Sequence, residues 1–144
     1  VSLRFQGPTA EELAATMSRD GETTTKRALR QQRKAAQKVM EESIANAPVD
    51  KGNLEAAHEI TERRGSANRV ETTVEVGGVV NGVDVDDYAW EMHEGDYDLG
   101  PRSAAKQASD PSHAVGREYL QRAMDDVEKE LDAIFDEAFS GIFR

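Results

Sequence analysis

The sequence predicts an α+β domain: a small antiparallel sheet with a long amphipathic helix and a long C-terminal helix packed on one side. Two observations carry this. Residues 69–76 alternate, with Val70, Thr72, Val74 and Val76 set against Glu71, Thr73 and Glu75, as a strand with one buried face does. Residues 23–46 and 117–139 instead bring their apolar side chains onto one face at helical spacing. The segments run strand, helix, helix, strand, strand, short helix, long helix, which is not the alternation of a parallel βαβ sheet.

Each element has a local reason. Residues 2–6 alternate apolar and polar, and Gly7-Pro8 ends the strand. Thr9 and Glu12 match a capping box, so a helix is expected over 10–19, broken near Gly21. The next helix, over 23–46, puts Ala28, Leu29, Ala35, Ala36, Val39, Met40 and Ala47 on one face. Pro48 ends it, because proline disfavours helical geometry in the residue before it. Asp50-Lys51-Gly52-Asn53 is a turn, with Gly52 permitting the sharp change of direction. Strands are expected over 57–63 and 69–76, joined by a hairpin loop at 64–68. Residues 77–87 read as a Gly/Asp-rich loop and 88–93 as a short helix packed through Tyr88, Trp90 and Met92, with Gly95 as its exit. Residues 96–115 show no apolar period and read as a long loop, expected to be mobile until a partner orders it. The last helix carries Leu120, Ala123, Met124, Val127, Leu131, Ile134 and Ala138 as a narrow stripe.

The chain of 144 residues suits one domain, 1–144, with a thin core: 38% of residues are hydrophobic and 32% charged. It has no cysteine, so no disulfide or thiolate chemistry is expected. No apolar run is long enough to span a membrane, and no signal peptide is expected. The net charge is −10, and all of it falls in residues 84–144, which hold 16 acidic and 6 basic side chains. Such a chain is a poor general binder of nucleic-acid backbone. The exception is a basic stripe on the first long helix: Lys26, Arg27, Arg30, Arg33, Lys34 and Lys38. It has no interleaved aromatics, so a solvated face, or one paired with a neighbour's carboxylates, is favoured over a DNA-reading helix.

Tests for chemistry return little. His58, His93 and His113 are far apart and lack metal-ligand spacing, and Asp84-Val85-Asp86-Asp87 lacks the glycine and glutamate offsets of a calcium loop. There is no nucleophile elbow and no phosphate-cradling glycine loop. Glu91, His93 and Glu94 are the only acid–base cluster of note, and an ordinary acidic helix rim is strongly preferred as their explanation. No catalytic residue, metal or cofactor is expected.

Three stretches, in order, carry a resemblance: Asn46 to Ala57 ("NAPVDKGNLEAA"), Tyr88 to Gly95 ("YAWEMHEG") and Val115 to Asp126 ("VGREYLQRAMDD"). Together they resemble the tail-completion (head–tail joining) proteins of long-tailed DNA bacteriophages, also termed minor tail or neck proteins. The matching positions are Ala47, Pro48, Val49, Gly52, Leu54, Tyr88, Ala89, Glu94, Gly95, Leu120 and Ala123. Lys51 and His93 stand where such proteins often have threonine and glutamate. The resemblance implies a non-enzymatic virion protein, assembled in the host cytoplasm. It would form a homo-oligomeric ring at the head–tail junction, meeting connector or adaptor proteins and the tail tube or terminator, with DNA passing through unbound. Tail symmetry implies six subunits and connector symmetry twelve. A tail terminator capping the tube is the alternative; a regulator binding nucleic acid through the basic helix is a further one. In this reading Pro48, Gly52, Leu54, Tyr88 and Gly95 shape the fold. The expected subunit contacts are Lys26, Arg30, Arg33, Lys34, His93, Glu94, Asp96, Asp98, Arg102 and Arg117.

Overall fold

The computed structural model describes residues 1–7, 21–65 and 69–140. Strand β1 (Ser2–Gln6) precedes the long helix α1 (Gly21–Asn46) and a single-turn helix α2 (Asn53–Ala56). Strands β2 (His58–Arg64) and β3 (Val70–Val76) follow, then the short pair β4 (Val79–Val80) and β5 (Val83–Asp84). Three helices come last: α3 (Asp86–Glu94), α4 (Pro101–Ser109) and α5 (Tyr119–Phe139). The helix expected over 10–19 and the tip of the expected loop at 66–68 lie outside the described residues.

The α+β class is as expected. The main sheet has the order β1-β3-β2, all antiparallel, so Leu3 and Ile60 both lie opposite the central Val74. Thr72, Val74 and Val76 are buried and face the helices, since α1 sends Gln32 into this side of the sheet. The Gln32 amide donates to Val70 O and to Thr72 Oγ1, each at 3.0 Å. Gly7, where β1 leaves the sheet, lies against the Gln32 amide, whose oxygen would have to shift to admit a Cβ there. The opposite face is polar: Arg4, Thr73 and Thr61 share one row, and Arg4 Nη1 lies 3.5 Å from Glu71.

Helices α1 and α5 pack against each other and cover the sheet. Ala28, Ala35, Ala36 and Val39 of α1 are buried, as are Leu120, Ala123, Val127 and Ile134 of α5. Alanines on both sides let the backbones approach closely. Lys34 pairs with Glu137 at 3.0 Å and Lys38 pairs with Glu130, which fixes the two helices as antiparallel. These pairs are exposed, and each contributes about 1 kcal/mol or less. The apolar seam dominates.

The C-terminal end of α1 is where most of the chain meets. A helix leaves its last carbonyls without intrahelical donors, and Pro48 has no N–H to offer. Here Ala47 N–H donates to Ser43 O at 2.8 Å, Gly116 N–H to Asn46 O at 2.9 Å, and Lys106 Nζ to Ile44 O and Ala47 O at 2.6 and 2.8 Å. Lys106 also pairs with Glu55 of α2 at 2.5 Å. The last turn of α1 has no basic residue of its own, so Lys106 supplies the cation that the helix dipole favours there. Ser103 Oγ adds a reciprocal pair with Val49, accepting from its N–H at 2.9 Å and donating to its O at 3.0 Å. Gly52, at φ +81, makes the left-handed turn into α2 as expected.

Two expectations need correction. Residues 77–87 are not an open loop: β4 and β5 pair across Asn81-Gly82, both at positive φ (52 and 76), the conformation of a two-residue hairpin turn. Residues 96–115 are not one long loop either. They contain α4, nine residues long, anchored at Ser103 and Lys106. Only Ser103 of α4 is fully buried, so polar contacts rather than an apolar stripe hold it in place.

This junction yields a stability prediction. Lys106→Met leaves Ile44 O, Ala47 O and Glu55 without their donor and should cost about 2–3 kcal/mol. In urea unfolding the midpoint should fall with the slope unchanged. A midpoint within error of the parent would show that water serves these carbonyls equally well.

Candidate functional site

Helix α3 and the turn at 48–54 bring the motif residues together. Val85, Ala89 and His93 recur every four residues, so they line the inward face of α3, and all three are buried. Small Ala89 lets the helix sit close to Tyr119, whose hydroxyl donates to Ala89 O at 3.2 Å. The His93 ring meets Tyr119 edge-on, with centroids 5.0 Å apart. Tyr119 is fully buried, and that burial raises its pKa far above the usual phenol value.

The polarity of "YAWEMHEG" is therefore partly the reverse of the expectation. Trp90 was expected to pack, yet it is 61% exposed. Tyr88 is on the margin and only Met92 joins the core. His93 was expected at a subunit edge, but it is buried behind Glu94, to which its Nδ1–H donates at 2.8 Å. The reason is helical phase: Ala89 and His93 occupy the face against Tyr119, so the indole is left on the flank. Gly95 is the exit as expected, since a Cβ there would overlap Glu91 O.

Pro48, Tyr88, Met92, Tyr97 and Pro101 line a hollow of about 400 Å³. A smaller one beside it, about 190 Å³, is lined by Gly52, Leu54, Val83, Val85 and Tyr88. Tyr88 borders both. Partial burial, then Asp50 and Glu91, raise the pKa of its hydroxyl. Asp98 and Arg102 edge the larger hollow, and Arg102 donates to Asp50 O. Arg117 lies 3.8 Å from Asp96. Glu94, Asp96, Asp98, Arg102 and Arg117 are all exposed.

The basic residues expected to share in subunit contacts are elsewhere. Lys34 lies about 18 Å along α1 from Asn46. Arg33 grips Glu62 of β2 with two nitrogens, one of them at 2.8 Å, which raises the Arg33 pKa and lowers that of Glu62. Lys34 and Lys38 hold α5. Arg33 and Lys34 therefore serve pairs within this chain, a use their spacing alone did not show. Lys26, Arg27 and Arg30 are exposed toward the start of α1.

The remaining histidines sit at joints. His58 Nδ1 faces Leu54 O and Glu55 O at 2.9 and 3.1 Å, so that nitrogen carries the proton. Its Nε2 then accepts from Ser43 Oγ–H at 2.8 Å, and burial lowers its pKa. His113 lies between Glu42 (2.9 Å) and Asp110 (2.8 Å). Burial alone would lower its pKa, but hydrogen bonds to Asp110 and Glu42 outweigh it, and the pKa is raised. Among the described residues no group of three His, Asp or Glu is placed to hold a metal, and no helix is long and apolar enough to cross a membrane.

The sequence motifs thus gather on one turn and one short helix of a two-layer α+β domain. A sequence model of the HK97-gp10-like family, described as "Bacteriophage HK97-gp10, putative tail-component", matches residues 11–89, more than half of the chain. The chain belongs to this family of phage tail components. The match runs through α1, the Pro48–Gly52 turn, both hairpins and the first half of α3, while α4 and α5 lie beyond it. No curated protein matches, and no solved structure does.

The histidines give a pH prediction. With its native pKa raised above 6.5, His113 contributes stability that is complete below that pH and is lost as pH rises through the native pKa. His58 is opposite: its native pKa is lowered, so its contribution is lost as pH falls below 6.5. The stability deficit of His113→Asn, measured by urea unfolding, should therefore shrink between about pH 6 and pH 8. A deficit that stays constant over that range would show that His113 is not charged in the native joint.

Proposed function

We propose that this tail component works at the head–tail junction, as a closed homo-oligomeric ring joining the capsid connector to the tail tube, without performing chemistry. The observation that carries the reading is the family match over residues 11–89, joined to the ordered motifs that resemble tail-completion proteins. A closed ring needs a heterologous contact, one face of each subunit against a different face of the next. The fold offers opposite charge at separate places: an acidic α5 surface with Asp125, Asp126, Glu128 and Asp132 exposed, and an α1 whose exposed residues include Lys26, Arg27 and Arg30. Acidic residues on the inner wall of such a ring would repel DNA phosphates and let the genome pass without sticking. A ring whose lumen is basic or neutral would overturn that part of the proposal.

The tail-terminator reading differs in where the ring binds. The regulator reading is disfavoured by the engagement of Arg33, Lys34 and Lys38 with carboxylates of their own chain.

Light scattering should give a mass of six or twelve subunits, and particle images should show a ring that seats on connectors as well as on tail tubes. A ring seen only on tube ends would favour the terminator. No tight duplex binding is expected in a gel shift at about 0.15 M salt, where exposed charges are largely screened beyond 8 Å; tight binding would favour the regulator.

A further inference from the structure

From the outward face of α3 we infer one specific half of a subunit contact: Trp90 and its surrounding carboxylates receive the basic N-terminal half of α1 from a second copy of this chain. The inference rests on the ring reading above and names the surfaces that would close it.

Helical spacing places Asp87, Trp90, Glu91 and Glu94 on one face, and all four are exposed. Trp90, at 61% exposure, is a large apolar surface left in water on a helix that buries Ala89 and His93 on its inward face. Single exposed apolar residues are common, but this one stands among carboxylates with no cation in its own segment. Residues 70–101 contain nine acidic side chains and no lysine or arginine. A partner for this face needs cations around a group that can lie on an indole. Arginine supplies both, as charge for the rim and a planar guanidinium for the ring.

Among the described residues, the N-terminal half of α1 presents such a surface, far from Trp90. Residues 23–40 contain six basic side chains and no acidic one. Lys26, Arg27 and Arg30 are exposed and share a helical face. They cannot reach Trp90 of their own chain. Glu118 N–H donates to His93 O at 2.8 Å, and Gly116 N–H to Asn46 O at 2.9 Å, so α3 is tied to the C-terminal end of α1. Arg30 lies about 24 Å back along that helix. Faces this far apart on one chain meet only between copies, and that contact, repeated head to tail, closes a ring. The charges would set register and reject other pairings, and Trp90 would anchor the contact.

Trp90 is the only tryptophan, so its emission reports this face directly. With the full chain, emission and light-scattering mass are followed together against concentration. The expected result is a blue shift that tracks assembly. Trp90→Ala should weaken assembly about tenfold or more, while the circular dichroism of the monomer is unchanged. Arg27→Glu with Arg30→Glu should do the same, and adding Asp87→Lys with Glu91→Lys should restore assembly. Rings that form with a water-exposed emission, or at parental concentration in Trp90→Ala, would overturn this contact and leave the ring intact. A chain that stays monomeric at every concentration would overturn both.

Discussion

The carbonyls at the end of α1 are the constraint on which the rest of the structure depends. A long helix that stops at a proline exposes a cluster of acceptors and a partial negative charge. Those acceptors lie beside the buried core, where bare polar groups are costly. The fold answers with donors from distant parts of the chain: Lys106 from α4 and the Gly116 amide from the corner before α5. Once those donors are in place, α4 lies over the turn at Pro48 and α5 starts beside the end of α1. The antiparallel course of α5 along α1 follows, and with it the apolar seam. The hollow around Tyr88 also follows, because Pro48 and Pro101 form two of its walls.

This explains what could be read from the sequence and what could not. Elements that bury an apolar face announce themselves by period, so α1, β3 and α5 were legible, as were the breaks at Pro48 and Gly52. Helix α4 was not, because it buries a serine and anchors through a lysine, leaving no hydrophobic period to find. Its signals were of another kind: Gly100-Pro101 at a helix start, followed by alanine, lysine and glutamine. Lys106 itself could have been sought, since a helix ending at Pro48 with no basic residue in its last turn needs a donor from outside. The β4–β5 hairpin carried the Asn-Gly signal openly, but the surrounding glycines and aspartates masked it.

The candidate site shows the same division. The turn residues Pro48, Gly52 and Gly95 were legible because backbone geometry restricts which residues can stand there. The facing of Trp90 and His93 was not. A helix of nine residues with Tyr, Trp, Met and His spread around it can be phased in several ways. The choice is made by Tyr119, nearly thirty residues later, which was not singled out because an isolated tyrosine at a helix start carries no periodic signal. Its ring needs small or flat neighbours, and Ala89 and His93 provide them.

Charge is divided between two tasks. Arg33, Lys34, Lys38 and Lys106 each meet a carboxylate on another element, so they hold layers together. The acidic residues of α3 and the outer face of α5 have few cations near them in sequence. A surface of one sign raises the free energy of bringing copies together unless the approach presents the other sign. The outward carboxylates of α3 lie toward one end of α1, whose 26 residues span about 39 Å, and Lys26, Arg27 and Arg30 lie toward the other, so pairing of like faces is disfavoured. In a head-to-tail contact the opposite charges attract. The junction at the end of α1 matters for assembly for this reason: by fixing α3 relative to α1, it sets the angle at which each copy would meet the next.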